Sequence, residues 1–195
     1  MYPVTAKQLV VLEAGGASNH KSWGKVHPEI AKFAKVISYD RPGYLQSGPC
    51  GKRRDAVTVA KELKEALNKA GIFPPYVLAC WSMGGAFVRV FAGLYPKDVV
   101  GLMVVDSVPE ESYVRFEKEH PKLLVEDASY IKEVLSSNRI GEREEMRMFD
   151  SSINQARLSD KLHSTPTTLL IAAGKKPDAH DRNPSNPLKK IWIEN

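Results

Sequence analysis

Short apolar runs recur along the chain, and most stop at glycine, proline or aspartate. Gln8–Ala14 ends at Gly15-Gly16, and Lys35–Asp40 ends at Arg41-Pro42-Gly43. Tyr76–Cys80, Val100–Asp106 and Thr167–Ala173 follow, the last closed by Gly174. Nearly unbroken Val, Leu and Ile without polar alternation predicts strands covered on both faces, which is the mark of a parallel sheet. The segments between these runs carry a helical period. Arg54 to Ala70 aligns Val59, Leu63, Ala66, Leu67 and Ala70, with Gly71 as a stop signal. Met83 to Leu94 aligns Phe87, Val90, Phe91 and Leu94, and Trp23 to Ala34 is a weaker helix starting near Pro28. These stripes are read as core packing. Strand and helix in alternation predict an α/β fold, a mostly parallel sheet flanked by helices.

Residues 108–164 break that rhythm. They carry no convincing strand and read as polar helices over Glu110–His120, Val125–Ser136 and Glu142–Leu158. The expected organisation is an incomplete core, residues 1–107 and 165–195, with 108–164 as a helical cap or lid. Extra packing helices are the plainer alternative.

Composition narrows the function classes. Of 195 residues, 43% are hydrophobic and 26% charged, which excludes wholesale disorder. Lys+Arg number 28 and Asp+Glu 23, a net +5, and the signs alternate, so no nucleic-acid partner is expected. The two cysteines, Cys50 and Cys80, cannot build a disulfide framework. No apolar run approaches the about 20 residues of a membrane span. The first residues lack a signal-peptide layout, so a cytoplasmic location is the default expectation. Neither a phosphate-binding glycine loop nor a dinucleotide fingerprint appears, and no metal-ligand spacing is present. No cofactor is therefore expected.

Chemistry is sought at the carboxyl ends of the strands, where open α/β sheets bind ligands. Tyr76-Val77-Leu78-Ala79-Cys80-Trp81-Ser82-Met83-Gly84-Gly85 reads as strand, tight turn and helix, with Ser82 at the tip. That is a nucleophile-elbow layout, which needs small residues two places either side of the serine. Gly84 meets the need, and Cys80 stands where glycine is usual. The alternative is a plain helix N-cap serine.

With this segment in place, the chain resembles the α/β-hydrolase fold superfamily over most of residues 8–178. The resemblance rests on Leu12-Glu13-Ala14-Gly15-Gly16-Ala17-Ser18, Tyr39-Asp40-Arg41-Pro42-Gly43-Tyr44, the elbow, and Gly101-Leu102-Met103-Val104-Val105-Asp106-Ser107. It implies Ser82 as nucleophile, and the backbone N–H groups of Gly16 and Met83 as oxyanion hole. It implies a triad acid at Asp106 or Asp178, and Asp178 is slightly preferred. Relatives usually carry Asp-Arg-x-Gly-x-Gly-x-Ser after the second strand. Here Asp40, Arg41, Gly43 and Ser47 fit, but Leu45 replaces the second glycine, and Arg41 is expected to tie neighbouring loops together.

A serine triad also needs a base. The fold's histidine follows one further strand, so the chain is expected to be shortened at both ends. Of His20, His27, His120, His163 and His180, the candidates are His180, close to Asp178, and His20, in the oxyanion-side loop. Both are more simply solvated loop residues. Two functions follow. One is a serine hydrolase acting on carboxylic esters or related acyl substrates through an acyl-enzyme, fully active only together with the missing histidine segment. The other is a non-catalytic protein of the same fold that binds a small apolar ligand or a protein partner under residues 108–164.

Overall fold

The computed structural model describes residues 9–51, 53–107, 129, 131–159 and 165–170. Five strands form one sheet: β1 (Leu9–Glu13), β2 (Lys35–Ser38), β3 (Tyr76–Trp81), β4 (Val99–Val105) and β5 (Thr167–Leu170). Their order is β2-β1-β3-β4-β5, and every pairing is parallel. Val11 lies opposite Ile37 and Leu78, so β1 and β3 are neighbours and their carboxyl ends open on the same edge.

The period of two in β1, β3 and β4 sorts side chains between layers, whereas β5, expected to be covered on both faces, is exposed along its length because no described helix packs on it. Val11, Tyr76, Leu78, Cys80 and Leu102 face the main core. Val10, Leu12 and Ala79 face the opposite side, with Trp23. The main core is covered by α2 (Ala56–Lys69) and α3 (Gly84–Leu94). Helix α2 begins at Asp55, whose carboxylate accepts from the Thr58 N–H at 3.0 Å, so an otherwise orphaned donor is satisfied. It buries Val59, Ala60, Leu63 and Leu67; Ala66 and Ala70, expected on that face, are exposed. Helix α3 is buried almost all round, with Phe87 and Phe91 at its centre, because sheet and helices enclose it. Leu94, expected on its apolar stripe, is 42% exposed.

Two helical expectations change. The weak helix over Trp23–Ala34 is a 3-10 turn at His20–Trp23 followed by α1 (His27–Ile30), with Pro28 in its first turn. The helix expected over Glu142–Leu158 is two helices, α4 (Ile140–Arg147) and α5 (Phe149–Arg157), jointed at Met148. The joint lets each turn a different face inward. Ile153 and Ala156 of α5 enter the main core against α2 and α3, whereas Glu145 of α4 reaches the loop after β2. At that contact Gly43, at φ +87°, meets Gly141 backbone to backbone. A Cβ on Gly43 would sit 2.8 Å from Gly141 Cα, so the approach requires glycine.

Residues 131–136 are helical, within the expected Val125–Ser136. The expected Glu110–His120 helix and the end of the Thr167–Ala173 run lie outside the described residues. Among the described residues no helix is long and apolar enough to cross a membrane.

Candidate active site

Strand β3 ends at Trp81, Ser82 takes φ +51°, and α3 starts at Gly84. A non-glycine residue in this left-handed region costs about 1–2 kcal/mol, and surrounding structure must hold it there. Three hydrogen bonds do so. The Ser82 N–H donates to Val105 O at 3.3 Å, while Ser82 O accepts from the Gly85 N–H at 3.1 Å and from Ser107 Oγ at 2.7 Å. The serine is left half-buried at the tip of the bend. A Cβ on Gly84 would lie 2.8 Å from Ala14 O, which is why a residue this small follows the serine. Cys80, on the other side of the bend, is fully buried, and burial pushes its thiol up to about 12.

The loop after β1 lies against this bend. A Cβ on Gly16 would be 3.3 Å from Met83 Cβ, so the two residues with the expected oxyanion-hole amides are in contact. Among the described residues, neither the Gly16 nor the Met83 N–H is taken up in a backbone hydrogen bond outside helices and strands. Trp81 packs over Gly15 and donates through Nε1 to Ser22 Oγ at 3.3 Å.

Arg41, 3% exposed, holds this loop. Its guanidinium donates to the carbonyls of Ala14 at 3.0 Å, Gly15 at 2.8 Å and Ser18 at 3.3 Å. The same group pairs side-on with Glu145 at 2.7 and 2.9 Å and with Glu13 at 2.5 Å. The Tyr39 hydroxyl donates to Glu13 and the Tyr44 hydroxyl to Glu145. Burial lifts the Glu13 carboxyl above the ordinary range, against the opposing pull of Arg41 and Tyr39. Burial also acts to lower the Arg41 guanidinium, but Glu145 and Glu13 outweigh it and hold the cation firmly protonated. Arg41 therefore ties the two loops together as expected. Its partners Glu13 and Glu145 were not anticipated: Glu145 is 104 positions away, and no local pattern marks it.

Asp106 ends β4, beside the strand that carries Ser82, at φ +44°. It is exposed, and its N–H donates to Leu170 O at 2.8 Å. Asp178 lies outside the described residues, as do His120, His163 and His180. His20 pairs through Nδ1 with both carboxylate oxygens of Asp40, at 2.9 and 2.8 Å, and donates its backbone N–H to the same group. Among the described residues no histidine hydrogen-bonds the Ser82 hydroxyl. A cavity of about 230 Å³ opens beside the end of β2, lined by Asp40, Arg41, Ser47, Arg54 and Glu62 among others; Ser82 is not on its wall. Among the described residues no group of His, Cys, Asp and Glu is disposed to hold a metal ion.

Comparison with known proteins bears on the family and the fold. A protein of Bacillus subtilis, YqjL, itself uncharacterized, is 29% identical over 97 residues, half of this chain and 38% of its own length. An "AB hydrolase superfamily protein" of Gibberella zeae is 31% identical over 114 residues, 56% of this chain and 35% of its own length. The chain thus matches well under half the length of these relatives. The crystal structure of a thermophilic esterase from Thermogutta terrifontis superposes with a TM-score of 0.58 at 20% identity, covering 86% of this chain and 72% of that one, which is a likeness of fold. The sequence profile of the alpha/beta hydrolase fold matches residues 8–176, and the chain belongs to that family.

Proposed function

We propose that the chain carries the nucleophile and oxyanion hole of a serine hydrolase acting on carboxylic esters or related acyl compounds. One observation carries this reading: Ser82 stands on a left-handed bend, and the residue after it touches Gly16. In the proposed reaction the Ser82 hydroxyl attacks the carbonyl carbon and its proton passes to a histidine base. The oxyanion is held by the Gly16 and Met83 N–H groups. The C–O bond then breaks, the alcohol leaves with the proton, and water releases the acyl group from Ser82. Asp106 or Asp178 orients the base. A hydroxyl rather than a carboxylate at the tip favours acyl transfer. Helix α4, which reaches the loop after β1 through Arg41, belongs to the substrate side of the whole protein, with a small acyl compound as its ligand.

The test is hydrolysis of p-nitrophenyl acetate by the whole protein, its histidine base included, and by its Ser82→Ala variant. The expected result is a burst of p-nitrophenol with an acetyl group trapped on Ser82, and loss of the burst with at least about a 10³-fold lower rate in the variant. Equal rates in the two proteins would overturn the reading and favour a non-catalytic binder.

A further inference from the structure

We propose that Arg41 and Ser107 are positioning residues that aim the two oxyanion-binding amides, and that Glu145 ties helix α4 to that aim. This rests on the reading of Ser82 as nucleophile. A trans peptide unit is planar, so its C=O and the following N–H point in opposite directions. Whatever holds the carbonyl therefore sets where the amide points. The Gly16 N–H shares a peptide with Gly15 C=O, and Arg41 Nη2 donates to that oxygen at 2.8 Å. The Met83 N–H shares a peptide with Ser82 C=O, and Ser107 Oγ donates to that oxygen at 2.7 Å. Both expected donors are thus clamped from behind by a buried side chain.

Neither clamp has much freedom. Every guanidinium nitrogen of Arg41 is engaged, by Glu145, Glu13 and three loop carbonyls. The rings of Tyr44 and Phe87 flank it, at 5.0 and 5.1 Å from Cζ to each centroid. Ser107 is 6% exposed, and a Cβ on Gly85 would collide with its Oγ. A donor on the carbonyl also polarises the peptide and strengthens the N–H opposite it. Glu145 is the only anchor of Arg41 drawn from α4, among the described residues, so displacement of that helix would release the Gly15–Gly16 peptide.

The experiment is fluorophosphonate labelling of the whole protein, chain and histidine base together, with kinact and KI measured separately. Ser82 Oγ bonds to phosphorus, the P–F bond breaks, fluoride leaves, and the hydroxyl proton passes to the base. Losing one oxyanion donor lowers turnover by about 10²–10³-fold. Arg41→Gln is accordingly expected to lower kinact about 10²-fold, and Ser107→Ala and Glu145→Gln each about 10-fold, with KI held within about twofold. A merely structural role would lower the melting temperature without splitting kinact from KI. If Arg41→Gln does not fold, Ser107→Ala and Glu145→Gln decide. Unchanged kinact in the folded variants overturns the clamp and leaves the Ser82 reading standing. A wild-type protein that does not label overturns the Ser82 reading, and the clamp with it.

Discussion

Leu45 holds a left-handed backbone, φ +42°, with its side chain 54% exposed. It stands where the resemblance leads one to expect glycine, and its exposure leaves little packing to offset the strain. Leu45→Gly should relieve about 1–2 kcal/mol of left-handed strain and return part of that as chain entropy, a net gain of about 0.5–1 kcal/mol. Thermal denaturation checks this: a rise of about 2–4 °C is expected, and a fall would show that Leu45 packs more than its exposure implies. The departure from the glycine pattern was visible in the sequence; the conformation that gives it a cost was not. The same division runs through the site. The bend at Ser82 and Gly84 was legible because a tight strand–helix turn demands small residues at fixed offsets, whereas Gly16 and Met83 were implied only by the family resemblance. The His20–Asp40 pair, the carboxylates on Arg41 and the Ser107 clamp were not, because each joins segments between 20 and 104 positions apart.

Among the elements, α2 was readable from its period and from the Gly71 stop signal, and its Asp55 cap permits a pH test. The Asp55 carboxyl suffers some desolvation, but the Thr58 N–H and further hydrogen bonds outweigh it and hold it below the ordinary range. A lowered carboxyl adds stability above its unfolded value, about 3.9, and loses it as pH falls through the folded value. Asp55→Ala should cost about 1 kcal/mol at pH 7, and the gap to wild type should close below about pH 4. Denaturant unfolding at both pH values measures it; a constant gap would mean that the cap acts through packing rather than charge. The elements misjudged from sequence are those shaped by tertiary contact. Helices α4 and α5 read as one continuous period, and their joint at Met148 exists because Glu145 and Ile153 seek different partners. The Trp23–Ala34 segment has too little apolar stripe to sustain a helix beyond the four residues of α1.

At the scale of the molecule, strand order does the positioning. Pairing β1 with β3 sets the Gly15–Gly16 loop beside the Ser82 bend, and pairing β3 with β4 brings Asp106 and Ser107 to the same edge. The alternation of apolar runs announced a parallel sheet, but only the fold shows which strand ends are adjacent. Part of residues 108–164 belongs to the core, since Ile153 and Ala156 pack with α2 and α3, while Glu145 reaches the loop after β1 through Arg41.

The most direct measurement is peptide mapping by mass spectrometry after treatment with a fluorophosphonate. A single phosphonyl adduct on the peptide containing Ser82, absent from Ser82→Ala, is the predicted result. An unmodified Ser82 in the whole protein, its histidine base included, or an adduct that survives in Ser82→Ala, would contradict it.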